Sequence, residues 1–330
     1  MSPARARIAS RELAERAATG EIAAIARLIS RAEAGLPEAQ LAIAKLRTGC
    51  VRPHVIGVTG VPGSGKSSLV ARLARLRRAS GARVAIVAVD PSSPISGGAI
   101  LGDRIRMGEL QGDDGVFVRS MATRGALGGL ARATLDAVDI LGAGGFGTVF
   151  IETVGVGQDE VDIARACHTT LVVSAPGLGD EVQAIKAGIL EIADIHVVSK
   201  CDRGDAARTL ADLKAMLTLG IRGTATGAWR APVIGTSVQS GEGLEALAAA
   251  LDGHRDMLAR TGQLAAREHA IAAYRLAKTA EALLQQRLTA ALPARLDALA
   301  ARLAGGEGDV YALARQLVED VISADTEAVP

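Results

Sequence analysis

Gly60-Val-Pro-Gly-Ser-Gly-Lys-Ser67 is the stretch that decides the fold of this 330-residue chain. It matches the pattern G-x-x-x-x-G-K-[ST] without a mismatch, and loops of this pattern surround phosphate groups with backbone N–H donors. An apolar, β-branched run at 55–59 leads into the loop, and a helix-forming run at 68–77 leads out of it. A strand, a glycine loop and a helix therefore follow one another as a phosphate-binding loop requires.

The residue types in this loop each have a chemical reason. Glycine lets the backbone approach phosphate oxygens closely, and the N-terminus of the next helix adds its positive dipole end. We expect Lys66 to reach the β- and γ-phosphates of a nucleotide and Ser67 to offer its hydroxyl to Mg²⁺, which prefers oxygen ligands. The predicted phosphate-binding residues are Gly63, Ser64, Gly65, Lys66, Ser67 and Ser68.

Composition argues against several classes of function. The formal net charge is +1 and aromatic residues make up 2% of the chain, which argues against a general nucleic-acid binder or a platform for base stacking. No uninterrupted apolar stretch is long enough to span a bilayer, and the N-terminal residues lack an apolar signal region. We therefore expect a cytoplasmic protein with no nucleic-acid or membrane partner.

Cysteine and histidine residues are scattered along the chain. Cys50, Cys167 and Cys201 lie far apart, which predicts neither a disulfide framework nor a cysteine metal site. Three histidines flank or enter apolar runs, where a core position is more typical than a metal ligand. These histidines are His54, His168 and His196.

The order of apolar runs predicts an α/β fold. Short Val- and Ile-rich runs alternate with helical stretches, a pattern typical of a mostly parallel sheet that is buried on both faces. The predicted strands are 55–59, 84–89, 148–151, 171–173, 195–198 and 232–236.

Helical sequence flanks this region on both sides. Residues 1–50 carry apolar positions at helical spacing, and the break at 35–37 predicts two helices. Residues 254–330 are again typical of helices, with Pro293 as a break. We therefore predict an N-terminal helical extension (1–50), a nucleotide-binding domain (51–253) and a C-terminal helical arm (254–330).

The last predicted helix carries an apolar face that needs a covering surface. This face can pack on its own domain or form a subunit interface, and the helix itself does not decide between the two. Its residues are Val310, Leu313, Leu317, Val318 and Val321.

Residues at strand ends are candidates for the site, because ligands of open parallel sheets bind at the carboxyl ends of strands. Asp90 follows the second predicted strand and begins a Gly- and Pro-rich segment, 90–104, which is too long for a simple connector. Glu152 follows the third strand, and Gly155 lies three positions further on. This spacing is typical of a metal-binding acid followed by a glycine that senses the γ-phosphate.

Two further strand ends point to the base of the nucleotide. The fifth predicted strand is followed by Ser199-Lys-Cys-Asp202. A carboxylate only accepts hydrogen bonds, so Asp202 can accept from N1–H and the exocyclic amine of guanine, which adenine cannot match. Lys200 would lie along the base, and the backbone N–H groups of Ser237 and Val238 could meet guanine O6. We therefore predict GTP and GDP as ligands.

Five motifs together closely resemble those of the MeaB/ArgK GTPases, which are chaperones of adenosylcobalamin-dependent acyl-CoA mutases. The motifs are GVPGSGKSS, VDPSSPISGGAILGDRIRM, ETVGVGQDE, APGLGDEVQAIKAG and SKCD. The resemblance implies a P-loop NTPase fold of the SIMIBI type and a homodimer held by the C-terminal helical arm. It also implies that the protein hydrolyses GTP, gates delivery of adenosylcobalamin to a mutase and protects that mutase from inactivation.

The same resemblance implies roles for individual residues. The residues that it places around Mg²⁺ are Ser67, Asp90, Asp103 and Glu152. The catalytic residues that it implies are Lys66, Asp90, Asp103 and Glu152. A switch that changes with the mutase complex is implied at Gln158, Asp180, Gln183 and Lys186.

The chain departs from related patterns at two positions. Ser199 stands where the guanine motif usually begins with Asn, so we expect the loss of an amide that ties the base loop to the phosphate loop, and a weaker affinity. Val156 stands where Ras-like enzymes carry a glutamine that orients the attacking water, a feature that the family shares. A slow intrinsic hydrolysis that rises on partner binding is the expected consequence.

Other functions of the same fold remain as alternatives. A nickel metallochaperone would be expected to carry a Cys motif or a His-rich tract, and a partitioning ATPase a second lysine where Val61 and Pro62 stand. A small-molecule kinase would have no use for Asp202. The mutase itself is left open among methylmalonyl-CoA, isobutyryl-CoA and 2-hydroxyisobutyryl-CoA mutases, because this chain need not touch the acyl group.

Overall fold

Three helices precede the sheet in a computed structural model of the chain, whereas the break at 35–37 predicts two. They are α1 (Ser10–Ala18), α2 (Ile22–Glu33) and α3 (Pro37–Leu46). The additional break lies at Gly20, whose φ of 83° ends the first helix. The structure describes residues 8–47, 52–90, 110, 112–122, 132–153, 159–176, 191–220 and 229–323.

A seven-stranded sheet forms the centre of the described part of the chain, and all of its strand pairs are parallel. The strands are β1 (His54–Gly60), β2 (Val84–Asp90), β3 (Val116–Ala122), β4 (Thr148–Thr153), β5 (Thr169–Ser174), β6 (Ile195–Val198) and β7 (Val233–Gly235). Their order is β3-β2-β4-β1-β5-β6-β7, so the phosphate loop leaves the central strand. The predicted parallel sheet is confirmed.

Strand β3 is absent from the sequence prediction. It lies at the edge of the sheet, and only Phe117, Met121 and Ala122 of its residues are buried. Arg119 and Ser120 interrupt the apolar run, which hides the strand from a search for buried segments. The guanidinium of Arg119 donates hydrogen bonds to Glu33 and to Ser30 of α2.

In the described residues, five helices pack on the two faces of the sheet: α4 (Lys66–Ala79), α5 (Arg132–Ala143), α6 (Asp159–Ala166), α7 (Ala206–Gly220) and α8 (Leu244–Arg260). On one face, Leu73 of α4 and Leu247 of α8 share a core with Ile56 of β1. On the other face, Ile25 of α2 and Ile140 of α5 belong to a second core. The N-terminal helices are therefore part of the core of the nucleotide-binding domain.

Two helices form the C-terminal region, α9 (Gln263–Ala304) and α10 (Val310–Ser323). The prediction that Pro293 breaks the helix is wrong, because α9 continues through it. Proline removes one backbone hydrogen bond, and a long helix retains its other turns. No helix in the described residues combines the length and apolar character needed to cross a membrane.

The chain divides into two compact units, Met1–Tyr274 and Arg275–Pro330. The domain boundary predicted after residue 253 falls inside α8, so the compact unit that holds the sheet extends further than the sequence indicates. Within the second unit, Asp309 accepts hydrogen bonds from the first N–H groups of α10, Leu313 is buried, and Val310 and Val318 are exposed.

A buried polar cluster lies at the amino-terminal edge of β1 and β5. Thr169 Oγ1 lies 2.8 Å from His54 Nε2 and 2.9 Å from His254 Nδ1. The Asp194 carboxylate lies 3.4 Å from His254 Nε2 and 2.5 Å from the Arg267 guanidinium at the start of α9. This cluster joins the sheet to both C-terminal helices of its compact unit.

The three histidines predicted to lie in the core are buried there, which confirms that prediction. Burial lowers the pKa of His54 to about 3 and the pKa values of His168 and His196 to about 4. His54 lies beside other cationic or titratable groups, which contribute to its lowered pKa. Both ring nitrogens of His196 lack a hydrogen-bond partner within the described residues.

The lowered pKa values of these histidines predict that folding stability falls as the pH drops from about 6.5 towards 4. In that range the unfolded chain takes up protons that the buried rings do not. The variant His196→Leu is expected to recover about 2 kcal/mol of this loss at pH 5, because its site no longer titrates. Thermal or urea unfolding at pH 5 and 7.5 measures the effect. The exposed His269→Leu change is the control, and an equal response of both variants would contradict the prediction.

Candidate nucleotide-binding site

The candidate site lies at the carboxyl edge of the sheet. Because every strand pair is parallel, the residues that follow β1, β2, β4, β6 and β7 share this edge. Hydrogen bonds between these segments show that they meet: Ser67 contacts Glu152 near the end of β4, and Ser64 contacts Ser199 after β6. The loops predicted from sequence thus form one site.

The phosphate loop has a conformation that only glycine adopts without strain at its turns. Gly60, Gly63 and Gly65 have φ values of 132°, 75° and 88°. A Cβ atom at Gly60 would lie 2.0 Å from the carbonyl oxygen of Val173 on the neighbouring strand, so no side chain fits there. The Lys66 ammonium donates hydrogen bonds to the carbonyl oxygens of Gly60 (2.8 Å) and Val61 (3.1 Å), which holds it against the loop.

Three oxygen-bearing side chains predicted to surround Mg²⁺ are buried at this edge. Ser67 Oγ donates a hydrogen bond to Glu152 Oε1 at 2.6 Å. Asp90 ends β2, and the strand register places it one residue beyond the pairing of Val89 with Thr153. A hydroxyl and two carboxylates are hard oxygen donors of the kind that Mg²⁺ prefers, so this donor set fits the ion.

Ser199 makes the connection that the sequence predicts to be lost. Its hydroxyl lies 2.5 Å from the carbonyl oxygen of Ser64 in the phosphate loop and 3.0 Å from that of Ser174, and its single proton serves these two acceptors. The backbone N–H of Ser199 also donates to Ser174. The expectation that serine loses the connection between the two loops is therefore wrong, because its short hydroxyl reaches the same phosphate loop that an asparagine amide would.

Lys200 and Asp202, which the sequence predicts to hold a base, follow β6 at the carboxyl edge of the sheet. Lys200 has a φ of 56°, which is unusual for a residue with a side chain, and its ammonium donates to the carbonyl oxygen of Gly63 at 2.7 Å. Asp202 Oδ1 accepts a hydrogen bond from the hydroxyl of Ser237 at 2.7 Å. This hydrogen bond, supported by the backbone N–H of Asp202, lowers the pKa of the carboxyl group. Asp202 is therefore a stable acceptor at neutral pH.

The expected role of the Ser237 N–H needs correction. This N–H donates to the carbonyl oxygen of Glu242 at 3.0 Å, so it is engaged within its own loop. The hydroxyl of Ser237, rather than its N–H, contacts a residue predicted to bind the base, because it donates a hydrogen bond to Asp202. The N–H of Val238 stays the predicted donor to guanine O6.

Sequence reasoning misses Arg72, which contacts the loop after β7 from α4. Its guanidinium donates two hydrogen bonds to the carbonyl oxygen of Val238. A single arginine inside an amphipathic helix carries no motif that could reveal such a contact.

Several predicted site residues lie outside the described part of the chain. They are Asp103 of the Mg²⁺ set, Gly155 near the γ-phosphate, and the switch residues Gln158, Asp180, Gln183 and Lys186. Within the described residues, no group of three His, Cys, Asp or Glu side chains is placed to hold a metal.

The hydroxyl of Ser199 is expected to strengthen nucleotide binding by about three- to tenfold, the usual contribution of a buried neutral hydrogen bond. The variant Ser199→Ala should therefore bind GDP more weakly by that factor, and Ser199→Asn should restore binding. Equilibrium titration with a fluorescent GDP analogue measures the change. The variant Ser80→Ala loses a hydroxyl at an exposed helix end and should bind as the wild type does. Unchanged affinity of Ser199→Ala would contradict this role.

Comparison with known proteins identifies the family. Residues 25–292 match the family described as "Methylmalonyl Co-A mutase-associated GTPase MeaB". A protein of Pyrococcus horikoshii named as a GTPase is 45% identical over 254 residues, which are 77% of this chain and 80% of that protein. GTPase ArgK of Escherichia coli is 32% identical over 252 residues, 74% of this chain and 76% of that protein.

A mammalian protein and a solved structure are also similar. The mitochondrial methylmalonic aciduria type A homolog of Mus musculus is 38% identical over 216 residues, 64% of this chain and 51% of that protein. The crystal structure of an LAO/AO transport system kinase superposes on this chain with a TM-score of 0.67 at 22% identity. The superposition covers 94% of this chain and 97% of the kinase chain, and it shows the shared P-loop fold. Because the family match extends over most of the chain, this protein belongs to the MeaB family of GTPases.

Proposed function

We propose that this protein is a GTP-hydrolysing chaperone that gates adenosylcobalamin delivery to a cobalamin-dependent acyl-CoA mutase and protects that mutase. One observation carries the nucleotide part: the phosphate loop is hydrogen-bonded both to Glu152 near the end of β4 and to Ser199 in the loop after β6. The mutase part rests on the family description. A cytoplasmic location, without nucleic-acid or membrane partners, belongs to the same proposal.

The chain's own residues account for binding and for stabilisation of charge. The N–H groups of the phosphate loop and the N-terminus of α4 bind phosphate oxygens, and Lys66 places a positive charge at the γ-phosphate. Ser67, Asp90 and Glu152, together with Asp103, would hold Mg²⁺. When bound, this ion neutralises charge on the β- and γ-phosphate oxygens. With valine at position 156, hydrolysis by the isolated protein is expected to be slow.

Competition between nucleotides tests the GTP assignment. GTP and GDP should displace a fluorescent GDP analogue at concentrations at least about a hundredfold lower than ATP, because adenine cannot donate to Asp202. Equal competition by ATP would contradict the base assignment. It would instead favour a kinase or an ATPase of the same fold.

The hydrolysis rate in the presence of a mutase tests the chaperone assignment. Methylmalonyl-CoA, isobutyryl-CoA and 2-hydroxyisobutyryl-CoA mutases should each be added to the protein at saturating GTP. The cognate mutase is expected to raise the rate and to lose activity more slowly during turnover. If none of the three changes the rate or the lifetime of the mutase, the chaperone proposal fails.

We further propose that the arm after residue 274 holds a homodimer. A chain that ends at residue 274 is expected to bind GDP normally and to sediment as a monomer, whereas the full chain sediments as a dimer. The cut must follow 274, because a chain ending at 260 also loses Arg267, the partner of the Asp194 carboxylate, and should be less stable by about 1–3 kcal/mol. A shortened chain that remains dimeric would place the interface in the first compact unit.

A further inference from the structure

Arg72 joins helix α4, which follows the phosphate loop, to the loop at 237–242 after β7. Nε and Nη2 of Arg72 lie 3.2 Å and 2.8 Å from the carbonyl oxygen of Val238, and both donate to it. The contact is partly buried, and hydrogen bonds from a charged donor are about twice as strong as neutral ones. Arg72 lies on α4, so the helix that begins at the phosphates also holds a peptide of the loop at 237–242.

The rest of this loop is fixed by its own hydrogen bonds. The N–H of Gly241 donates to the carbonyl oxygen of Ser237 at 3.0 Å, and the N–H of Ser237 donates to Glu242. The peptide between Ser237 and Val238 is therefore held by the turn. The next peptide, between Val238 and Gln239, is the one that Arg72 holds.

Fixing a carbonyl also fixes the N–H of the same peptide, since the two point in opposite directions across a trans bond. No described peptide bond in the chain is cis. The turn therefore fixes the direction of the Val238 N–H, and Arg72 fixes the direction of the Gln239 N–H. At the same time the Ser237 hydroxyl orients the Asp202 carboxylate. The donors and the acceptor for a base edge are therefore set by hydrogen bonds from the 237–242 loop and from Arg72 of α4.

We propose that Arg72 is a positioning residue for recognition of the guanine O6 atom, and that it acts through the Val238 carbonyl. The inference rests on the proposed binding of GTP and adds a residue from outside the nucleotide loops. Guanine O6 accepts hydrogen bonds, whereas adenine carries an amine donor at that position. The backbone N–H of Gln239, held in place by Arg72 beside that of Val238, would therefore favour guanine, and Asp202 would read the opposite side of the same edge.

Base analogues separate this role from a merely structural one. The triphosphate of 2-aminopurine riboside lacks O6 but keeps the 2-amino group, and ITP keeps O6 but lacks the amino group. The variant Arg72→Met keeps an unbranched side chain and loses the donors. It is expected to bind GTP about tenfold more weakly and to lose about tenfold of the preference for GTP over the 2-aminopurine analogue. Its preference for GTP over ITP, and its kcat at saturating GTP, should stay within about twofold of the wild type.

A matched control lies on the same helix. The variant Arg77→Met removes an arginine of the same helix whose guanidinium forms an ion pair with Asp252 of α8 at 2.7 Å and does not contact the 237–242 loop. It is expected to leave all nucleotide preferences unchanged. The variant Arg72→Lys keeps the charge without the forked pair of donors and should lose a smaller part of the same preference.

The outcomes are distinct. A wild-type protein that does not prefer GTP to ATP overturns the proposed function and this inference with it. A wild type that prefers GTP, together with an Arg72→Met variant that weakens all three nucleotides equally, overturns the positioning role alone. Thermal unfolding shows whether Arg72→Met folds. If it does not, Arg72→Lys is used instead, and an unchanged preference of this variant for GTP over the 2-aminopurine analogue overturns the proposal.

Discussion

A variant with alanine in place of Lys66 is expected to hydrolyse GTP on the order of a thousandfold more slowly than the wild type, even at saturating GTP. The ammonium of Lys66 is held against the phosphate loop by the carbonyl oxygens of Gly60 and Val61. It is therefore preorganised, and its charge can stabilise the negative charge that develops on the transferred phosphoryl group. Phosphate release in single-turnover experiments measures the chemical step directly.

The control for this variant is Lys214→Ala. Lys214 is exposed on α7, away from the phosphate loop, so the same change of side chain should leave the rate unchanged. GDP binding should be measured for both variants, because loss of Lys66 also removes a phosphate contact. A Lys66→Ala rate within about tenfold of the wild type would show that this lysine does not stabilise the transition state.

The variant Asp202→Asn is expected to shift the preference from GTP towards XTP by about a thousandfold. Xanthine carries a carbonyl where guanine carries its 2-amino group, so it repels a carboxylate and accepts from an amide. The structure indicates which atom of the new side chain would face the base. Ser237 donates to Oδ1, which an asparagine keeps as an acceptor, and this leaves the amide NH₂ for the nucleotide.

Equilibrium binding of GTP, XTP and ATP to both proteins measures this shift. Asp205→Asn is the matched control, because Asp205 is an exposed aspartate three residues further along the same loop. It should bind all three nucleotides as the wild type does. If Asp202→Asn keeps the wild-type selectivity, Asp202 does not read the base, and the guanine assignment fails.

The strands that carry apolar runs were predictable from the sequence, including β7 at one edge of the sheet, whereas β3 at the other edge was not. Five of the predicted strands carry near-continuous apolar runs because both of their faces are buried, whereas the short β7 keeps a Val-Ile run although it is only half-buried. Strand β3 is only partly buried, and its Arg119 contacts α2, so its sequence lacks that signal. Pro293 gives a stop signal that the long helix α9 does not obey. Local rules describe a residue's own preference, whereas the surrounding structure decides the outcome.

The site shows the same division between chemistry and geometry. The phosphate loop was predictable because spacing and residue type dictate its chemistry, and the position of Asp202 just beyond a strand end followed from the strand pattern. The Ser199 contact with Ser64 was not, since it depends on how closely two loops approach. Arg72 was also not predictable: it is far in sequence from Val238, and only the folded chain brings the two together.

Helix α9 passes from one compact unit into the other without a break at residue 274. Its first turns are tied to the sheet through Arg267 and Asp194, and Tyr274 belongs to the core of that unit. Amide hydrogen exchange should therefore divide this single helix in two. Amides up to 274 should exchange only when the whole sheet domain opens, while those beyond it should exchange through fraying of the helix itself. The edge of a cooperative unit would then lie in the middle of a continuous helix, where no loop marks it.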